Sequence, residues 1–353
     1  MNNSLIIVLW AGLTLLSVLT LIFIYLFIKK TISNRYEMRK KKLLEDYHKS
    51  DSVLERYLRT GHMERRMVLG SAVEYEAMQE YFVKRIQVVN EEEHQRIQLF
   101  FQQHLVDHYR KRLSSRRYNQ RISSLLYIER FNLRELLPDL ENLLSKKIGD
   151  VEKYAVLRVM AGLQSERIIE IMMDPTQNLP DYVCRQLLYP LNMNLMERFI
   201  AGFDQCPPSL QDNLLDILRI RNERSLAFLQ MLELLVNSER EELRIRAIKA
   251  LASFGYASKQ GLQRIEESLD HWDAKSWQEK LMLTKLMGSI KSGPFLEKLQ
   301  ELISDRSFMI RSEAAASILL YKDGVQILRK IEASHEDRFA QDIAKEMLKR
   351  GIS

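Results

Sequence analysis

Residues 305–317 read DRSFMIRSEAAAS, and residues 243–251 read LRIRAIKAL. Both place apolar side chains at helical spacing, with small residues among them and charges on the remaining positions. Ala247 and Ala314 are small where two helices of a pair must approach closely. One such pair cannot bury both of its apolar faces alone, whereas stacked neighbours bury a continuous core.

The same grain extends outward over residues 117–351. Helical stretches alternate with short breaks, and first helices of successive pairs start near Tyr118, Asp150, Leu179, Pro207, Glu239, Ala274 and Asp305. The interval stays near ~30 residues, the period of stacked supersecondary units. Asp174-Pro175 closes one unit, Pro207-Pro208 opens another, and Gly293-Pro294 marks a turn inside a pair. Residues 338–350 form an amphipathic helix carrying Phe339, Ile343, Met347 and Leu348, whose charged face suits a terminal cap.

These stretches resemble the HEAT-repeat family of armadillo-type α-solenoids. In that family the first helix often carries Asp, then five residues, then Arg preceded by a branched apolar residue, then small residues. Asp305, Ile310, Arg311 and Ala314 fill those places, with Ala315, Ala316 and Ser317 following. Arg244 and Ala247 fill them in the stretch ending at Gly255, but Ser238 stands where the Asp belongs, a departure from the pattern. Residues 151–163 match more weakly, through Ala155 and Ala161, and the units near Leu179, Pro207 and Ala274 match by period and amphipathicity only. The resemblance implies an α-α superhelix in which Arg244, Ala247, Asp305, Arg311 and Ala314 are scaffold residues, with Asp305 and Arg311 in a structural ladder. It says little about function, since some HEAT-like folds excise DNA bases or attach bilin pigments.

The opposite end is of another kind. Residues 5–28 are 24 residues without a charge, about 36 Å of helix and enough to cross a ~30 Å hydrocarbon core. Trp10 and Tyr25 lie toward its ends, and Thr14, Ser17 and Thr20 can bond back to its own carbonyls. The apolar run is too long for a cleavable signal, and no small-residue cleavage pattern follows it. Residues 29–42 carry seven cations, Lys40, Lys41 and Lys42 among them, against the single acid Glu37, a net +6 that equals the charge of the whole chain. The positive-inside rule then leaves residues 1–4 outside and everything after the span in the cytoplasm, a single-pass protein of the cell membrane. The basic balance therefore reflects topology and anionic headgroups and not a nucleic-acid-binding domain.

Residues 29–113 read as a basic juxtamembrane segment followed by long helices. Residues 37–58 contain no Pro or Gly; Gly61 breaks the pattern. Over residues 71–89, Val73, Met78, Tyr81, Phe82 and Ile86 share a face, and Asn90 caps a further helix burying Ile97, Phe100, Phe101, Leu105 and Tyr109. The spacings Glu45/His48, Glu91/His94 and Glu332/His335 are half of a di-iron pattern, and His104/His108 can share a zinc, but each ligand set is incomplete. Residues 109–121 hold Arg110, Lys111, Arg112, Arg116, Arg117 and Arg121 with no acid, a candidate contact for lipid, an acidic protein or nucleic acid.

Phosphate-cradling glycine loops, nucleophile elbows, HExxH and CxxC are absent, and the lone thiols Cys184 and Cys206 form no disulfide framework. Asp212, Asp216 and Glu223 read as a solvated helix face. The expectation is an all-α, non-enzymatic adaptor without cofactor or metal: an N-terminal transmembrane helix, membrane-proximal helices, then a HEAT-like solenoid. Its partner would be a membrane-associated protein, such as an envelope or polysaccharide-synthesis complex. A metal- or nucleic-acid-binding protein, or a HEAT-like enzyme using residues 91–121, is the alternative.

Overall fold

The computed structural model describes residues 2–64, 67 and 70–351; Met1, the first residue of the expected outer tail, lies outside the described residues. These residues fold into twenty α-helices and no strand. Their contacts divide the chain into Met1–Asp139 and Leu140–Ser353.

The first unit is organised by α1 (Asn2–Tyr47), which runs unbroken from the apolar stretch into the folded part. Sequence reading separates a span from a later helix over residues 37–58; the structure joins the span to residues 29–47 and breaks the chain at 48–52 instead. The break is a capping site: Ser52 accepts from the Glu55 N–H and donates to the Tyr47 carbonyl, ending one helix and starting the next. All described side chains from Trp10 to Ile28 are exposed, and Ser17 and Thr20 bond back to the carbonyls of Thr14 and Leu16. Within these residues α1 is the one helix long and apolar enough to cross a membrane.

α2 (Val53–Thr60) ends on left-handed Gly61, and Arg96 donates to its last carbonyls, those of Leu58 and Arg59. α3 (Ala72–Arg85) opens on a capping box of Ser71 and Glu74. α4 (Glu91–His104), capped by Asn90, turns at Leu105 into α5 (Val106–Leu113), followed by α6 (Tyr118–Arg130). The core is aromatic. Tyr81, Phe82, Phe100, Phe101, Tyr109 and Phe131 are fully buried, and the rings of Phe101 and Phe131 stack with centroids 3.5 Å apart. Ile86, expected on that face, is only half-buried because α3 has ended.

α7 (Leu137–Leu144) crosses the division, and helix pairs follow it in the second unit. First helices are α8 (Asp150–Gly162), α10 (Asp181–Leu188), α12 (Pro208–Ile220), α14 (Glu241–Phe254), α16 (Trp277–Ser289) and α18 (Phe308–Leu319). Second helices are α9 (Arg167–Met173), α11 (Met193–Ala201), α13 (Leu226–Leu235), α15 (Lys259–Leu269), α17 (Gly293–Leu302) and α19 (Gly324–Ser334); α20 (Arg338–Gly351) ends the chain. Each first helix packs on the next, from α8 through α20, and α9, α11, α13 and α15 pack in the same succession. Starts at Asp181, Pro208, Glu241, Trp277 and Phe308 fall one to three residues after those read from the sequence, because capping residues and short turns precede them. Four second helices open on an Asn or Ser N-cap at 192, 225, 258 and 292, a spacing near ~33 residues. Ala247 and Ala314 are fully buried.

α20 buries Ile343, Met347 and Leu348, but Phe339, expected with them, is exposed. It lies over the Arg311 guanidinium at 5.3 Å.

Candidate functional site

The residues singled out beneath the span converge only in part. α1 packs on α3 through charge: Lys40 Nζ meets Glu80 Oε2 at 2.9 Å, and Arg39 meets Glu74 at 3.5 Å. The bond from Lys84, and then that from Lys40, holds the Glu80 carboxyl below its usual range, and Glu80 in turn raises Lys40. Lys40 is therefore half-buried and committed, whereas Lys41 and Lys42 project outward.

Lys40, Glu76, Gln79, Glu80, Arg112, Ser123 and Tyr127 line a cavity of about 340 Å³ between α1, α3, α5 and α6. The amide nitrogen of Gln79 is buried there and has no hydrogen-bond partner among the described residues. Burial first, and Glu76 second, push the Tyr36 hydroxyl up to about 12; burial alone leads the upward shifts of Tyr127 and Tyr109. These three tyrosines therefore hold their protons across the neutral range.

The basic segment 109–121 is less free than its composition implies. Arg110 bonds Asp107 and, at 3.2 Å, Asp139; Arg112 reaches the hydroxyls of Ser124 and Ser123 at 3.2 and 2.9 Å. Arg121 donates to the Ser115 carbonyl at 2.8 Å. Lys111, Arg116 and Arg117 stay exposed. Of the histidines, His108 stacks on Tyr75 at 4.3 Å, and burial, with Arg112 and Lys111 nearby, lowers it to about 4. His48 packs on Tyr81, His94 meets Gln98, and His335 accepts the Asp337 N–H through Nδ1. Among the described residues no three His, Cys, Asp or Glu side chains are grouped to hold a metal.

In the second unit Asp212 pairs with Arg240, and Asp216 pairs with Arg246. They are half-buried links between α12 and the following repeat, not the solvated face expected, because each faces an arginine about 30 residues on. Arg311 donates to the main-chain carbonyls of Asp305 and Arg306, while the Asp305 carboxylate caps the Ser307 N–H at 2.7 Å. The expected ladder thus runs through the backbone. Arg244 repeats the bond to the carbonyl of Ser238, and Ser238 accepts from the Arg240 N–H, so the serine does before α14 what Asp305 does before α18.

Sequence reading missed Glu279. Its side chain is fully buried and accepts two bonds from Arg244, at 3.1 and 2.9 Å, and one from Lys275 at 2.8 Å. Burial pushes this carboxyl up, but the bonds from Arg244 and Lys275 outweigh it and hold it below the usual glutamate range. Arg244 lies 35 residues away, so local spacing gives no signal.

Neither a family model nor a curated protein matches this chain. The solved structures it is similar to include two crystal structures of engineered proteins. One is 15% identical with a TM-score of 0.32, covering 88% of each chain; the other is 16% identical with a TM-score of 0.22, covering 77% of this chain and 95% of that one.

Proposed function

We propose that this chain is a membrane-tethered scaffold: an uncleaved, single-pass anchor with its N-terminus outside, presenting a HEAT-like solenoid to a membrane-associated protein partner in the cytoplasm. The carrying observation is the continuity of α1, in which one helix holds the exposed apolar stretch and the residues packed on α3. A jointless helix sets the folded unit at a fixed height and raises its effective concentration against membrane-embedded clients. Lys40 lies twelve residues past Ile28, about 18 Å along the axis, beyond a headgroup layer of roughly 6 Å. Lys41 and Lys42 therefore address protein, and Lys29 and Lys30 address lipid. Lys111, Arg116 and Arg117 supply further exposed charge for an acidic surface. The succession of first helices supports the solenoid reading, and we assign the partner's seat to the concave face such a solenoid has.

Whole-chain chemical cross-linking in intact membranes tests the scaffold, and a tag on each terminus tests the topology. The reading expects a specific membrane-protein adduct, an N-terminal tag reached from outside, and a C-terminal tag reached only after permeabilisation. Release of the chain by alkaline carbonate, or the absence of any specific adduct, defeats it.

A further inference from the structure

The second unit opens on an open cavity of about 500 Å³ formed by the end of α7, residues 145–149, and the pair α8–α9. Its volume falls in the ~300–1,000 Å³ range of ligand sites. Four cations line it, Lys146, Lys147, Lys153 and Arg167, against one carboxylate, Glu141. Arg167 pairs with Glu170 one turn along its own helix. Lys153 donates to the neutral amide of Gln177 at 2.9 Å, and Gln177 is itself held by Asp174 at 2.9 Å. Lys153 is thereby positioned without direct neutralisation. Lys146 and Lys147 are exposed and make no ion pair among the described residues.

Solvated lysines alone need no ligand. Here they border an apolar floor of Leu144, Ile148, Leu157 and Ile171, contributed by three helices and the segment between them. Covering that floor releases ordered water, and an anionic occupant does so while also compensating the cations at its border.

We infer that this cavity binds a short segment of the partner polypeptide rich in acidic and branched aliphatic side chains. The carboxylates meet Lys146, Lys147 and Lys153, and the aliphatic groups fill the floor. The inference rests on the scaffold reading and gives its partner a chemistry.

The test places a photo-cross-linking residue at Ser145, an exposed residue of the lining, in the full-length chain in its own cell membranes. Adducts are identified by mass spectrometry. The expected adduct is a polypeptide segment in which Asp and Glu outnumber Lys and Arg and which carries Leu, Ile or Val. Its yield drops on the order of tenfold, the equivalent of about one decade of affinity, in Lys146→Glu/Lys147→Glu and is retained in Lys146→Arg/Lys147→Arg. A circular dichroism melt matching the parent's shows that both variants fold. A basic or uncharged segment, a lipid or small-anion adduct, an unchanged yield after charge reversal, or no adduct each overturns the assignment. If whole-chain cross-linking still finds a partner while Ser145 finds none, the cavity assignment alone fails. If neither finds one, the scaffold reading fails with it.

Discussion

Glu279 concentrates the energetics of the repeats in one carboxylate. It is fully buried, yet three charged hydrogen bonds converge on it from Arg244 of α14 and from Lys275 at the edge of α16. Removing one partner of a buried ion pair costs ~3–5 kcal/mol. Arg244 keeps its bonds to the Ser238 and Glu239 carbonyls, so Glu279→Ala should fall near the lower end, about 3 kcal/mol. Faster hydrogen exchange localised to α14 and α16 would report it; unchanged exchange there rules the network out as a stabiliser. The carboxyl is held below its ordinary value of 4.5 in the fold. Its stabilisation is therefore present above that value and lost as pH falls through the folded pKa. The exchange difference between the parent and Glu279→Gln should accordingly be full at neutral pH and shrink below about pH 4.5. A difference that persists undiminished in acid would exclude titration of Glu279 as its cause. Gly288 is a second pivot, with a different physics. A Cβ there would lie 2.9 Å from the Ser317 Cα on α18, so Gly288→Ala should cost ~1–3 kcal/mol by forcing two helix backbones apart. A thermal midpoint equal to the parent's would contradict that close approach.

At the scale of elements, one small device recurs. Ser115, Ser238, Asp305 and His335 each accept the N–H two residues on through the side chain, and each carbonyl takes a bond from the side chain six residues on. The donor is Arg121, Arg244, Arg311 or Gln341. The device straps the turn before a first helix onto that helix, because the long guanidinium or amide reaches past one helical turn to otherwise unpaired carbonyls. Arg311→Ala should cost ~1.5–3 kcal/mol, as expected for a charged hydrogen bond, and should loosen α18 in hydrogen exchange before α14. Equal loosening of both helices would show the device is not local. Helix starts, the buried Ala247 and Ala314 and the long apolar helix were legible because each is written in consecutive residues or in residues a turn or two apart. The Ser238 equivalence was not legible: a pattern written around aspartate hides that a hydroxyl accepts the same N–H. Nor could spacing show that Lys40, Arg110 and Arg112 are spent on internal partners while Lys41, Lys42, Lys111, Arg116 and Arg117 stay exposed. Those pairings join helices that sequence distance does not connect.

For the whole molecule, the decisive object is the unbroken α1. Sequence reading places a span and a following helix in series, and only the structure shows them joined in one unbroken helix as far as Tyr47. A rigid axis fixes height and azimuth together, at ~1.5 Å and about 100° per residue. Ser33 and Asn34 are exposed and precede Tyr36, Lys40 and Arg39, the residues of α1 that meet α3, so an insertion between them leaves the apolar stretch and those contacts intact. Two added alanines turn the folded unit by about 200° and lift it only ~3 Å; seven restore the facing to within about 20° and lift it ~10.5 Å. A partner that engages the bilayer and the folded unit at once requires both coordinates. Both insertions should therefore leave carbonate resistance and the thermal midpoint unchanged while reducing the cross-linked adduct, two residues through misdirection and seven through height. A glycine-serine replacement of residues 30–34 should lower it less than the two-residue insertion, since a flexible joint still samples the right facing. Full adduct yield in all three variants would mean that α1 serves as a leash, and that its continuity plays no part in presenting the folded unit.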